Sequence, residues 1–326
     1  MKKIAIIGAS AFQNPLILKA KEKGYETHVF AWKANDVGEK TADVFHDISI
    51  VEKEKILEVC QAEGISGICT IGSDLATLPV SYVAEKMGLP GNSVACSQTA
   101  TNKYAMRQAF KKAGDPIPGF MEGDAETKPD QVKLNYPLIV KPTDRSGSRG
   151  VTKIKGPEEL EAAIGAALAD SFEKKVMIEE FANGKEYSVE YISVHGCHHF
   201  LAMTEKITTG APHFIETGHN EPAPVSKPVL DRVKTVVNHA LSTLDITEGA
   251  SHTELKIDQD GTIKIIEIGG RMGGDCIGSH LVPASTGYDF VGMVVDIACG
   301  HPPDFTIHGT PSPVAIRFIF NGEDLD

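Results

Sequence analysis

The sequence lacks three features that would each define a class of protein. Its six cysteines contain no CxxC pair and no zinc-ligand spacing, which indicates reduced thiols in a cytosolic chain. No apolar run approaches the ~18 residues of a membrane span. The net charge of −12 disfavours unspecific binding to nucleic acid or anionic membranes, because phosphate contact needs a cationic surface. We therefore expect a cytoplasmic protein with no nucleic-acid partner and no membrane partner.

What the sequence does contain, at its start, is an alternation of short apolar runs and longer amphipathic runs. Residues 4–7 and 27–31 are typical of buried strands, and the amphipathic runs that end at Gly64 and Gly88 are typical of helices. This alternation predicts a parallel, doubly wound sheet. The turn at Gly8 lacks the later glycines of a dinucleotide fingerprint, so we interpret it as a sheet-packing turn.

The chain from residue 94 to residue 305 mixes helices with runs typical of antiparallel strands, such as residues 136–142. This mixture predicts an α+β second domain. A last apolar run, residues 313–320, predicts the first strand of a further C-terminal subdomain over residues 306–326. The sequence stops soon after that strand, as a truncated chain would.

Two glutamates are predicted to face each other across a hairpin. If Asp260-Gly261 forms a two-residue type I′ turn, Glu254 lies directly opposite Glu267. Like charges at such positions repel each other and need a neutralising partner. Mg²⁺ would supply it, since a hard cation held by one or two carboxylates is its usual arrangement. The alternative is an exposed polar surface on which Lys256 and Lys264 offset the charge.

Two glycine-rich segments could each approach an anion. Residues 144–150 offer backbone N–H groups and two guanidinium groups, but match no phosphate-loop fingerprint, so a mobile hairpin loop is the alternative. Residues 268–275 place four glycines around Arg271, which favours close approach of an anionic ligand over simple packing. Lys141 follows an apolar strand, so we expect its ammonium group to point into a cleft.

Other polar residues have ordinary interpretations when taken alone. Glu179, Glu180 and Glu186 surround a predicted turn, where strand-end polarity would explain them. His219 alone is typical of a loop histidine. Their order along the chain changes this interpretation.

In chain order, five features resemble the ATP-grasp superfamily over residues 1–305: Lys103, the IVKP strand with Lys141, the SGSRG loop, the EEFANGKE segment, and Glu254 with Glu267. The resemblance implies an α/β N-terminal Rossmann-like domain, residues 1–93, that binds no dinucleotide. It further implies an α+β ATP-grasp domain, residues 94–305, whose two lobes grip ATP.

The resemblance also implies a role for each matched residue. Lys103 and Lys141 would contact the nucleotide phosphates, beneath a loop formed by Ser146, Gly147, Ser148, Arg149 and Gly150. Adenine would be held by Glu179 and by the backbone at Glu180 and Ala182, and the ribose by Glu186. Mg²⁺, which Mn²⁺ could replace, would be held by Glu254 and Glu267.

Within the superfamily, the ETGH, HTELK and IEIGGRMGG segments resemble the L-amino-acid ligase (dipeptide synthetase) group of carboxylate–amine ligases. This resemblance implies that Arg271 is catalytic and stabilises an acyl-phosphate and the tetrahedral species that follows it. Glu216, His219 and Gly273 would line the substrate pocket. One departure is Gly269, where many ATP-grasp enzymes have asparagine, which puts metal ligation from that position in doubt.

We therefore expect a ligase that uses ATP and Mg²⁺ to join a carboxylate to an amine, releasing ADP and phosphate. Small molecules would be its substrates, and a homodimer is left open. One alternative is another ATP-grasp activity of purine-pathway or carboxylase type. A second alternative is a catalytically silent nucleotide-binding regulatory protein. A nicotinamide oxidoreductase fits least, because the N-terminal glycine pattern is wrong for it.

Overall fold

The computed structural model describes residues 2–145, 147, 149–210 and 215–320. Its first sheet has four parallel strands in the order β3-β2-β1-β4. These are β1 Lys3–Ile7, β2 Glu26–Ala31, β3 Val44–Asp47 and β4 Ile68–Cys69. The helices between and after them are α1 Asn14–Glu22, α2 Val37–Thr41, α3 Lys53–Glu63 and α4 Thr77–Met87.

Helices cover both faces of this sheet, as its alternating pattern predicts. Ile4 and Ile6 of β1 pack in one apolar cluster with α1, while Ala5 and Ile7 pack in another with α3 and α4. Gly64 ends α3 in the left-handed conformation, with φ at +66°. The parallel sheet is therefore confirmed, although its fourth strand is only two residues long.

Two helices lead into the second sheet, α5 Val94–Thr101 and α6 Lys103–Ala113. Asn102 caps α6, because its side-chain oxygen accepts a hydrogen bond of 2.9 Å from the Ala105 N–H. The antiparallel second sheet has the order β5-β8-β6-β7. Its members are β5 Phe120–Gly123, β6 Leu138–Pro142, β7 Thr152–Ile154 and β8 Val176–Glu180, with α7 Leu160–Asp170 packed against them.

The third sheet has six antiparallel strands in the order β13-β12-β9-β10-β11-β14. They are β9 Lys185–Val194, β10 Cys197–Thr208, β11 Glu216–Glu221, β12 Gly249–Ile257, β13 Ile263–Gly269 and β14 Val314–Arg317. The helices of this region are α8 Lys227–Thr243, α9 Val282–Thr286 and α10 Phe290–Ala298, with a short π-helix Ile277–Leu281 before α9. The strand predicted near the end of the chain is therefore β14, which pairs with β11 at the edge of this sheet.

Helix α10 connects the first sheet to the third. Phe290 and Met293 of α10 share one apolar cluster with Ile4 of β1 and Ile192 of β9. The boundaries near residues 93 and 305 remain predictions. Across the described residues, no helix combines the length and the apolar character needed to cross a membrane. All six cysteines are free.

The β12–β13 hairpin has the predicted pairing but not the predicted turn. Glu254 does lie opposite Glu267. The loop, however, pairs Asp258 with Thr262, whose carbonyl accepts 3.1 Å from the Asp258 N–H, so the two-residue turn is wrong. A bulge at Ile266 then shifts the register by one residue and restores the glutamate pair.

Candidate active site

One cleft between the second and third sheets collects most of the residues that the sequence singles out. It is lined by eleven of them: Lys103, Lys141, Gly147, Arg149, Glu179, Ala182, Glu186, Glu216, Glu254, Glu267 and Arg271. Asp74 and Lys206, which the sequence analysis does not single out, line it as well. The tertiary structure therefore brings together residues almost 200 positions apart in the chain.

At one end of the cleft, Lys141 and Glu179 form a buried ion pair between β6 and β8. Arg107, fully buried on α6, donates to the second carboxylate oxygen of Glu179, with NH2 at 2.9 Å. Burial alone would raise the pKa of Glu179, but Lys141 and Arg107 lower it to about 2. Burial lowers the pKa of Lys141, and Glu179 opposes that effect. Lys141 therefore belongs to the lining of the cleft, but its ammonium group is buried in an ion pair with Glu179.

In the middle of the cleft, Lys206 of β10 contacts three carboxylates. Its Nζ lies 2.6 Å from Glu216 Oε1, 2.7 Å from Glu254 Oε1 and 3.4 Å from Glu186 Oε1. Burial would lower the pKa of Lys206, but these carboxylates raise it well above its usual value. The signal in the sequence is alternation along β10, since Lys206 shares a face with buried Thr204.

The two facing glutamates of the hairpin are neutralised from outside it. Lys206 contacts Glu254, and Lys103 at the start of α6 forms an ion pair with Glu267. Lys256 and Lys264, to which the alternative assigns this role, contact other groups. Lys264 Nζ donates to the Ile117 carbonyl at 3.0 Å, and Lys256 Nζ lies 3.7 Å from Glu186 Oε2.

This donor set fits a divalent cation. Glu254 and Glu267 lie at directly paired positions of adjacent strands, and each already holds a positive group. Burial would raise the pKa of Glu254, but Lys206 and His252 lower it well below its usual value. Glu254 therefore offers an anionic oxygen of the kind that Mg²⁺ binds, and Glu267 lies opposite it in an ion pair with Lys103.

On the far side of the hairpin, Arg271 forms a bidentate ion pair with Asp74, which lies in the loop after β4. Nε lies 2.7 Å from Asp74 Oδ1, and NH2 lies 2.9 Å from Oδ2. A Cβ added at Gly269 would lie 2.6 Å from Asp74 Oδ1 and 3.2 Å from Arg271 Nε. The glycine that departs from the family pattern is therefore the residue that leaves room for this ion pair.

Next to Lys206, a second polar cluster consists of Glu216, His219 and Asp275. His219 belongs to β11 and is fully buried, so its interpretation as a loop residue is wrong. Its Nε2 lies 3.2 Å from Glu216 Oε2, without hydrogen-bond geometry, and neither ring nitrogen has a hydrogen-bond partner in the described part of the chain. Burial would raise the pKa of Glu216, but His219 and Lys206 lower it to about 2, whereas burial and Glu216 raise that of Asp275.

Some predicted site residues do not line the cleft. The carboxylate of Glu180 accepts from Asn135, and its N–H donates to the Gly119 carbonyl at 2.8 Å. Gly150 and Gly273 also lie outside the cleft lining. Ser146 and Ser148 lie outside the described residues.

Comparison with known proteins agrees with this geometry. The ATP-grasp domain family matches residues 134–279. D-alanine–D-alanine ligase B of Chromobacterium violaceum is 30% identical over 224 residues, which cover 66% of this chain and 73% of that protein. The chain therefore belongs to the ATP-grasp family.

Within that family, the chain resembles ligases that act on amino acids. Alanine–anticapsin ligase of Bacillus subtilis is 26% identical over 307 residues, which cover 82% of this chain and 63% of that relative. The L-amino acid ligase from Bacillus licheniformis matches with a TM-score of 0.81 at 27% identity, over 92% of this chain and 74% of that one. The resemblance to L-amino-acid ligases is thus confirmed.

A further solved structure shares the fold alone. The N5-carboxyaminoimidazole synthetase from Staphylococcus aureus complexed with ADP has a TM-score of 0.82 at 18% identity. The match covers 98% of this chain and 82% of the synthetase chain.

Proposed function

We propose that this protein is an ATP- and Mg²⁺-dependent carboxylate–amine ligase that joins amino acids. The carboxylate would be phosphorylated to an acyl-phosphate, which the amine attacks to give an amide, ADP and phosphate. One observation carries the proposal: Glu254 and Glu267 face each other in a cleft into which Lys103, Lys206 and Arg271 converge. Phosphoryl transfer needs positioned cations around developing negative charge more than it needs a nucleophile.

In this proposal the nucleotide binds between the second and third sheets. Lys103 and Lys141 contact its phosphates, with Gly147 and Arg149 beside them in the cleft lining. Glu179 and the backbone at Ala182 hold adenine, while Glu186 holds the ribose. The Glu180 N–H is already bonded to the Gly119 carbonyl. The Lys141–Glu179 pair supports this arrangement, because it fixes the ammonium group of Lys141 at the wall of the cleft.

Glu254 and Glu267 would hold the divalent cation, which lowers the cost of charge that builds up on the transferred phosphoryl group. Lys206 and Lys103 contact these carboxylates in the same cleft, so they are the ammonium groups placed to bind phosphate oxygens beside the cation.

The amino-acid end of the site would lie at Glu216, His219 and Arg271. Two carboxylates, Glu216 and Asp275, stand beside an imidazole whose nitrogens lack hydrogen-bond partners within the described residues. The carboxylate oxygens can accept hydrogen bonds from the ammonium group of an amino-acid substrate, and the imidazole lies beside them. Arg271 would stabilise the acyl-phosphate and the oxyanion formed when the amine attacks, and exclusion of water would prevent hydrolysis of the acyl-phosphate.

The test is phosphate release from MgATP in the presence of pairs of the twenty amino acids, with products identified by mass. We expect amine-dependent release of phosphate and a product heavier than either substrate. Glu267→Gln, prepared in parallel, should release none while retaining the fold. Stoichiometric AMP would contradict the acyl-phosphate route, and release with bicarbonate or formate alone would favour a carboxylase or purine-pathway type of activity.

A further inference from the structure

A buried pair of charged side chains lies directly behind the candidate metal carboxylates and takes no part in the proposed reaction. Glu190 of β9 and His252 of β12 occupy paired positions on adjacent strands and form an ion pair. Glu190 is fully buried, and His252 is 5% exposed. Burying a charge is costly unless it is paired and hydrogen-bonded, so each side chain of this pair stabilises the charge of the other.

The pair connects to the metal side of the cleft through the other ring nitrogen of His252. This nitrogen, Nε2, lies 3.4 Å from Glu254 Oε1. The imidazole ring therefore lies between two carboxylates, with Glu190 at Nδ1 and Glu254 at Nε2.

The same glutamate also connects to the turn that carries Arg271. The Gly273 N–H donates to Glu190 Oε2 at 3.0 Å. A Cβ added at Gly273 would lie 2.7 Å from His252 Nδ1 and 2.8 Å from Glu190 Oε1. The backbone of the turn thus lies against the ion pair so closely that only glycine fits.

We propose that Glu190 is a positioning residue for both halves of the reaction centre. Through His252 it holds Glu254 in the orientation that binds the divalent cation, and through the Gly273 N–H it holds the turn of Arg271. The inference rests on the proposed function, because it takes Glu254 as a metal ligand. In this proposal, the buried carboxylate of Glu190 aligns the metal ligand Glu254 with Arg271.

The experiment measures Mn²⁺ binding in the presence of ADP by electron paramagnetic resonance, and ADP binding without metal by calorimetry. Glu190→Gln should lose ~10- to 100-fold in Mn²⁺ affinity, the usual cost of removing a partner of a metal ligand. Metal-free ADP binding should stay within about twofold. The matched control is Glu221→Gln, since Glu221 is equally buried but its carboxylate accepts hydrogen bonds from Thr204 and Ser285 rather than from His252 or the Gly273 turn. It should bind Mn²⁺ like the parent.

Unchanged Mn²⁺ affinity in folded Glu190→Gln would overturn the proposal, and so would an equal loss of metal-free ADP binding. If that variant fails to fold, His252→Gln replaces it, because the contact of Glu190 with Gly273 is then kept. It should show the same loss of Mn²⁺ affinity, and parent-like affinity would again overturn the proposal. A parent protein that binds Mn²⁺ and ADP together but ligates no amino acids would contradict the proposed function alone.

Discussion

Asp74 and Arg271 form a two-point ion pair that joins the loop after β4 to the glycine-rich turn after β13. Their contacts are 2.7 Å and 2.9 Å, and the Gly72 N–H adds a bond of 3.2 Å to the Met272 carbonyl. Burial would raise the pKa of Asp74, but Arg271 lowers it, so the pair is ionised. The first 93 residues thus contribute directly to the candidate active site by orienting its arginine.

Arg271→Ala should separate catalysis from nucleotide binding. In our proposal the guanidinium acts mainly in the transition state, so its loss should lower kcat by ~10²–10³. The affinity for MgADP, measured by calorimetry, should change by less than about twofold. Arg232→Ala, on the exposed face of α8, is the control and should leave both unchanged. Loss of nucleotide binding in proportion to activity would show that Arg271 binds the nucleotide instead.

Lys206→Met should destabilise the protein in the absence of metal. The change leaves Glu186, Glu216 and Glu254 without their shared cation, and removing one partner of a buried ion pair costs ~3–5 kcal/mol. Mg²⁺ should raise the Tm of this variant more than that of the parent, because the metal replaces the lost charge. Lys185→Met, an exposed lysine of the neighbouring strand, should show neither effect. An equal Mg²⁺ response in all three proteins would remove Glu254 from the metal site.

Gly269→Ala should act by disturbing the Asp74–Arg271 pair. The new Cβ would lie 2.6 Å from Asp74 Oδ1, so one side chain must move. We expect a fall in kcat of about tenfold in the otherwise unchanged protein, and almost none when Asp74 is already alanine. Gly165→Ala is the control, because nothing lies within 4 Å of its added Cβ and it occupies a helix. Full additivity of the two changes would contradict this explanation.

Glu221 should make the protein less stable as the pH rises from about 5 to about 7. Burial raises its pKa to about 7, with Ser285 and Thr204 opposing the shift. Between the unfolded value and this folded value, the folded state keeps a proton that the unfolded state has lost, so stability falls with pH. Chemical unfolding of Glu221→Gln across this range should lack that slope. Parallel curves for parent and variant would show that Glu221 does not titrate there.

The sequence by itself determined the class of this protein and most of its elements. The alternation of strands and glycine-ended helices gave the parallel sheet, because burial on both faces and left-handed caps leave a local signal. The order of Lys103, Lys141, Glu254 and Glu267 gave the family. The pairing of Glu254 with Glu267 was correct, but only because a longer loop and a bulge at Ile266 cancel each other.

Only the tertiary structure decided which charges neutralise one another. Asp74 and Arg271 are 197 positions apart, and Lys206 meets a carboxylate 48 positions away, so no local pattern could pair them. The sequence predicts a loop at His219 because a polar strand such as β11 shows no apolar alternation. In the structure, His219 is fully buried beside Glu216. Local propensity specifies elements, whereas electrostatic partners depend on which elements the shared core brings together. That is why the sequence predicts most residues of the cleft, but neither Asp74 and Lys206 nor the ion pairs that hold the cleft together.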